Sequence, residues 1–263
     1  MKRFERMGLG VGLAVLALGA LAPCAWADIS YSSVIIGDGP VGYYRLGEAQ
    51  ADSVAFDSSG YQFTRNGVYS RGVVNGVAGA IKGDTDTAAN FDGMTSFVAV
   101  DSGQSSPFNN TNSFSLEAWV INAGSLENYS RIISTRVLPP ATSGGFGLGI
   151  VGASNNARFT TFGVKDYDSS ATNIPVDGMW HHLVVVMDST NTANFFLDGQ
   201  QTDAIPFASP CRTSPSDLFI GRNPVSDGNP GLYEYWNGSI DEVAIYNYEL
   251  TPGQIAAHYA AAQ

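Results

Sequence analysis

Cysteine is nearly absent from this 263-residue chain, with Cys24 and Cys211 the only two. A disulfide framework of the kind that staples small extracellular domains is therefore excluded, and core packing must hold the fold. Basic residues are scarce as well: 13 Lys and Arg stand against 24 Asp and Glu, for a net charge of −11. No cluster of Lys and Arg stands out that could displace counterions from a phosphate backbone, so no nucleic-acid partner is expected and anionic membranes are poor candidates. Long apolar runs are missing too. Residues 7–21 form an uncharged apolar run of about fifteen residues with no second run of that kind, short of the roughly twenty that a spanning helix requires, and no membrane span is expected.

Lys2, Arg3 and Arg6 lie just ahead of that stretch, and the segment closes on Ala25-Trp26-Ala27, a small-x-small site at which signal peptidase would cut before Asp28. Residues 1–27 are expected to be a secretory signal peptide of bacterial form, and residues 28–263 a single exported domain, extracellular or periplasmic. Leu21-Ala22-Pro23-Cys24 offers an alternative, lipid anchoring at Cys24, although Pro23 stands where a small residue belongs. Cleavage leaves 10 basic against 23 acidic residues and Cys211 as the sole thiol.

Glycine is abundant, with 30 residues beside 12 prolines and an aromatic share of 11%. That mixture favours many short strands joined by turns. Alternation predicts strands over 41–46, 67–69, 88–91, 97–100, 114–121, 131–136, 145–150, 158–164, 180–187, 192–197, 217–220 and 239–246. In 114–121, Phe114, Leu116, Ala118 and Val120 make one face wholly apolar, while the other mixes Glu117 with Trp119. Asp92-Gly93-Met94 reads as a hairpin turn between 88–91 and 97–100, residues 31–36 as a helical turn or edge segment, and 48–86 as mostly loop. Near the end, Thr251 can cap a helix with Pro252 in its first position and Gln254 completing a capping box, and the helix should close near Ala261. The sum is an all-β, two-sheet antiparallel sandwich or jelly roll with a short C-terminal helix.

Eight blocks in sequence order resemble the laminin-G-like jelly rolls of the concanavalin A-like lectin and glucanase superfamily. They are Val41-Gly42-Tyr43-Tyr44-Arg45-Leu46-Gly47-Glu48, Asp57-Ser58-Ser59-Gly60, Ala89-Asn90-Phe91-Asp92-Gly93, the strand from Phe114 to Val120, Trp180-His181-His182-Leu183-Val184, Phe196-Leu197-Asp198-Gly199, Ile220-Gly221-Arg222-Asn223, and the run from Asn237 to Asn247. The resemblance implies two sheets of six or seven strands each, one of them concave. It does not settle function, because the scaffold serves sugar binding, protein adhesion and glycoside hydrolysis alike.

A glycosidase on this scaffold needs two carboxylates facing one groove, and alternate residues of one strand would supply them. Glu117 has Trp119 two residues on, and Asp241 and Glu242 are neighbours expected to point to opposite faces. Asp84-Thr85-Asp86 and Asp166-Tyr167-Asp168 have the spacing but read as loops, so catalysis is not expected. Gly147-Leu148-Gly149-Ile150-Val151-Gly152 satisfies the dinucleotide fingerprint in form, yet no helical pattern follows it, and a glycine-rich strand and turn is expected. His181 and His182, adjacent on a strand, should face opposite ways, one into the core and one to the surface.

Binding candidates remain. Members of the superfamily often carry a structural calcium on the convex side, and the resemblance implies Asp241 as a ligand. Since calcium takes six to eight oxygens, backbone carbonyls and a second acid such as Asp57 or Asp92 would complete the site. For sugars, the richest aromatic platform is Tyr233, Tyr235 and Trp236, although Trp236 precedes the Asn237-Gly238 turn where the family tends to pack an aromatic into the core. The expected partner is an extracellular glycan or, alternatively, a surface protein in an adhesion or assembly role.

Overall fold

The computed structural model describes residues 1, 30–50, 52–100, 113–136, 144–209, 217–223 and 233–263. The signal-peptide residues from Lys2 onward, Cys24, the cleavage point before Asp28 and Cys211 lie outside the described residues. In chain order the elements are α1 (Tyr31–Gly37), β1 (Gly42–Tyr44), β2 (Val54–Ala55), β3 (Gly67–Tyr69), β4 (Val74–Ala78), β5 (Thr87–Asp92), β6 (Val98–Val100), β7 (Phe114–Asn122) and β8 (Tyr129–Arg136). They continue with β9 (Gly145–Val151), β10 (Asn156–Thr161), β11 (Lys165–Asn173), β12 (His181–Met187), β13 (Thr192–Leu197), β14 (Gln200–Pro206), β15 (Leu218–Ile220), β16 (Asn237–Tyr246) and α2 (Pro252–Ala261).

Two antiparallel sheets form from these strands. The first runs β14-β13-β12-β7-β16-β5-β4 with β1 also paired to β16, and the second runs β11-β10-β9-β8-β15-β6-β3-β2. Each has eight strands rather than six or seven, because the polar stretch read as loop supplies β2 and β4, and β11 and β14 add an outer strand to each sheet. The expected hairpin at Asp92 is a further correction. β5 belongs to the first sheet and β6 to the second, so the turn arches from one layer to the other. Asp92 builds that arch: its carboxylate accepts from the amides of Met94, Thr95 and Ser96 and from the hydroxyls of Thr95 and Ser96.

Between the sheets lies the core predicted by alternation. Phe114, Leu116, Ala118 and Val120 of β7 meet Phe146, Leu148 and Ile150 of β9, Phe159 of β10 and Ile240, Val243 and Ile245 of β16, all essentially without solvent contact. A second apolar layer covers the outer face of the first sheet, where Trp119, Val184, Phe196 and Tyr246 pack under Tyr31 and Ile35 of α1 and Ile255 of α2. The expected capping box holds the start of α2, with Thr251 accepting from the Gln254 amide and Gln254 from the Thr251 amide.

At the centre of this helix-covered layer sits a buried polar knot. Glu117 Oε1 accepts from the Tyr31 hydroxyl at 3.1 Å and faces His182 Nε2 at 2.7 Å, while Oε2 accepts from Tyr246 at 3.3 Å and faces His258 Nδ1 at 2.9 Å. The other nitrogen of His258 lies 2.8 Å from the Asp38 carboxylate at the end of α1. An imidazole with a carboxylate at each nitrogen must donate twice, so His258 is an imidazolium. Burial alone would raise Glu117, but hydrogen bonds from His182 and His258 override it and hold the carboxyl well below the usual range. For His258 burial pulls downward, and Glu117 and Asp38 outweigh it, leaving the value above 6.5.

A folded-state histidine value above the unfolded one means stability that is complete below pH 6.5 and declines as pH rises through the folded value. The melting temperature is therefore expected to fall as pH is raised from 6.5, and His258→Gln to flatten that fall. Equal slopes in the two proteins would refute the imidazolium assignment.

Candidate functional site

The outer face of the second sheet carries no helix among the described residues, and a cleft of about 570 Å3 opens there over β8, β10, β11 and the chain before β16. Its floor is polar. Arg131 on β8, only 3% exposed, extends across the sheet, its Nε paired with Glu234 and its Nη1 donating to Thr160 Oγ1 at 3.0 Å. Arg158 on β10 pairs with Asp168 and lies 3.7 Å from Asp166, and its guanidinium covers the Tyr129 ring at 4.1 Å. Lys165 and Phe162 complete the walls.

Small residues make this floor possible. A Cβ on Gly149 would come within 1.9 Å of the Ser130 carbonyl, and one on Gly147 would meet the Phe162 ring and Arg131 Nη1 at 3.2 and 3.3 Å. The glycines of the fingerprint-like run therefore serve close approach within β9, and β10 follows it with no helix between. Glu234 adopts a left-handed backbone with φ 51°, unusual for a residue with a side chain, and this directs its carboxylate to Arg131 and Asn223. Its amide donates to Glu127 at 2.8 Å.

The predicted aromatic platform divides here. Tyr233 is 36% exposed at the border of this face, Tyr235 is 9% exposed, and Trp236 is entirely buried in the core between the sheets. Trp236 offers no face to a ligand, which corrects its place among the binding residues. The reason is local: the Trp236 amide donates to the Gly221 carbonyl and its own carbonyl accepts from Gly93, drawing the ring inward just before β16.

The three acids proposed for calcium are likewise not brought together. Asp57 accepts from the amides of Tyr43, Ser59 and Arg65 in an N-terminal loop, Asp92 holds the arch described above, and both oxygens of Asp241 accept from amides, of Ala80 and Glu242. Beside Asp241 a positive charge is already present: Arg45 lies within 2.8–2.9 Å of Asp84, Asp86 and Glu242. Among the described residues no group of three or more acids or histidines forms a metal cage. The donor set does not fit a calcium ion, which needs hard oxygens free to turn toward it. Chelator-treated protein is expected to melt at the same temperature with and without millimolar calcium, and a rise of several degrees on adding calcium would overturn this reading.

Two carboxylate pairs depart from expectation. A β-bulge in β16 between Asp241 and Ala244, with Glu242 at φ 49°, places Asp241 and Glu242 on the same outer side between the inward Ile240 and Val243. Burial raises Glu242 to about 7, against the opposing pull of Arg45 and Tyr43, yet both acids are at most 2% exposed and no substrate reaches them. Asp166 and Asp168, read as loop, lie on β11 with alternate spacing, and Arg158 engages both. Where sequence expected one inward and one outward histidine, His182 is buried on Glu117 and His181 pairs with Asp198 at the surface. A second concavity of about 630 Å3, between α1, residues 81–85 and the end of α2, is lined by Ile81, Lys82, Asp84 and Gln263 beside smaller residues, and its one aromatic, Tyr31, is turned into the core.

A family model described as the Concanavalin A-like lectin/glucanases superfamily, of laminin-G type, matches residues 92–256, more than half of the chain. The chain belongs to this superfamily. Among solved structures the lectin/glucanase-like sandwich is similar to domain 4 of AbnA, a GH43 extracellular arabinanase from Geobacillus stearothermophilus, solved in complex with arabinotriose. The identity is 19% and the TM-score 0.57, over 85% of this chain and 98% of that domain. It is also similar to the binding domain of botulinum neurotoxin DC in complex with rat synaptotagmin II, at 15% identity and TM-score 0.60 over 87% of this chain and 52% of that one. The binding domain of Paraclostridial Mosquitocidal Protein 1 aligns at 14% identity and TM-score 0.59, over 85% of this chain and 52% of that one. The chain thus spans about half the length of the toxin domains it resembles, and at these identities the likeness establishes the fold. No curated protein sequence matches this chain.

Proposed function

We propose that this superfamily member is a secreted, non-catalytic module that recognises extracellular carbohydrate on the open face of its second sheet. The observation that carries the reading is the cleft with its fixed Arg131–Glu234 and Arg158–Asp168 pairs. Sugar hydroxyls both donate and accept, and held guanidinium and carboxylate groups offer charge-assisted partners of each kind. Exposed Tyr233 supplies an apolar plane at the border. The basic, apolar, small-x-small start of the chain supports export. That arginine engages Asp166 and Asp168, and that Asp241 and Glu242 are shut from solvent, supports binding without hydrolysis. A similar domain complexed with arabinotriose adds weight on the side of a saccharide over a protein partner.

An oligosaccharide array followed by titration calorimetry tests the proposal. Consistent enrichment of one glycan class is expected, with Tyr233→Ala and Arg158→Ala each weakening it about tenfold, near 1.4 kcal/mol. Silence across the array, or undiminished binding by both variants, would refute it.

A further inference from the structure

Arg222 differs from the other arginines on or beneath the sandwich surface described above. Arg45, Arg131 and Arg158 each have carboxylate partners. Among the described residues the Arg222 guanidinium has none: it lies 3.5 Å over the Phe97 ring, 4.8 Å from the Phe219 centroid and 5.7 Å from that of Tyr233, with Nε shielded from solvent and without an acceptor. In a chain with 24 acids against 13 bases, an arginine stacked over Phe97 with two more rings beside it, and without a carboxylate partner among the described residues, is a receptor half. Stacking fixes the plane and leaves in-plane N–H groups to bind, and a carboxylate is the group whose geometry matches that fork.

Its position ties it to the cleft. Phe97 and Phe219 project from the outer side of the second sheet, opposite to Val98, Leu218 and Ile220 in the core, and Tyr233 adjoins Glu234 of the cleft floor. We infer that Arg222, stacked among Phe97, Phe219 and Tyr233, is a subsite for the carboxylate of an acidic sugar, so that the preferred glycan carries uronate or another carboxylated residue. This rests on the open-face reading above. The strongly negative net charge disfavours dense polyanions, whereas one stacked guanidinium selects a single carboxylate per ligand.

The test compares calorimetric affinities for a neutral oligosaccharide bearing one terminal uronate, sialyllactose and the carboxyl-reduced, neutral counterpart of each. A preference for one acidic member over its neutral counterpart of about tenfold is expected, falling to about one in Arg222→Gln with the melting curve retained. The acidic member that shows it names the carboxylate's source. If Arg222→Gln does not fold, Arg222→Lys keeps the charge without the flat fork and is expected to lower the preference at least threefold. Equal affinity of acidic and neutral sugars, or a preference that survives substitution, overturns the inference and leaves the open-face reading standing. No binding to any of these sugars overturns the inference, and silence across the full glycan array overturns the open-face reading as well.

Discussion

Glu117→Ala is expected to lower stability by about 3–5 kcal/mol, the cost of removing one member of a buried ionic network and leaving its partners unpaired. Four groups lose an acceptor at once: the hydroxyls of Tyr31 and Tyr246, His182 Nε2 and His258 Nδ1, all buried. For a domain of this size such a loss moves the melting temperature by roughly 10 °C. The damage should also be regional. Glu117 ties both helices to β7, so amide exchange is expected to quicken first in α1 and α2 while the strands keep most of their protection. A uniform rise in exchange, or a shift of less than about 1 kcal/mol, would show that the helices dock through apolar contacts alone.

Trp236→Ala is expected to cost about 3–5 kcal/mol, the usual range for deleting a buried tryptophan. Its neighbour Tyr233, on the rim, should tolerate alanine within about 0.5 kcal/mol. The two residues are three apart in a run that reads as one aromatic platform, so the contrast in melting temperature separates core from surface within it. Equal stability losses would contradict the burial of Trp236 and the exposure of Tyr233.

Much of the scaffold was legible in local pattern. The alternation in 114–121 predicted which side of β7 enters the core, and the Thr251, Pro252 and Gln254 sequence specified α2 together with its capping box. Adjacent His181 and His182 divided between surface and interior as period two requires. What escaped depends on pairing across the sheets. The Asp92 turn has the composition of a hairpin, and nothing local reveals that its carboxylate gathers enough amides to carry the chain between layers. The bulge at Asp241 and Glu242 arises from register against β7, which turns two neighbours to one side.

The cleft was invisible for a similar reason. Arg131 and Glu234 meet across 103 positions of sequence, and Arg158 reaches Asp166 and Asp168 only because β10 and β11 form adjacent strands. A usable signal was present in the glycines at 147 and 149. In a strand they mark a place where something large lies close against the backbone, and here the neighbours include Arg131, Phe162 and the Ser130 carbonyl.

The bond between His258 and Asp38 closes a loop of 220 residues. The helices it joins, of 7 and 10 residues, are too short to persist on their own in water, so they can form only against a sandwich that already exists. The knot around Glu117 is therefore expected to assemble after the rate-limiting step of folding, so that Glu117→Ala speeds unfolding while leaving the folding rate nearly unchanged. Interactions made that late act as a latch on the way out: they leave the speed of folding almost untouched and govern how long the finished domain survives before it opens.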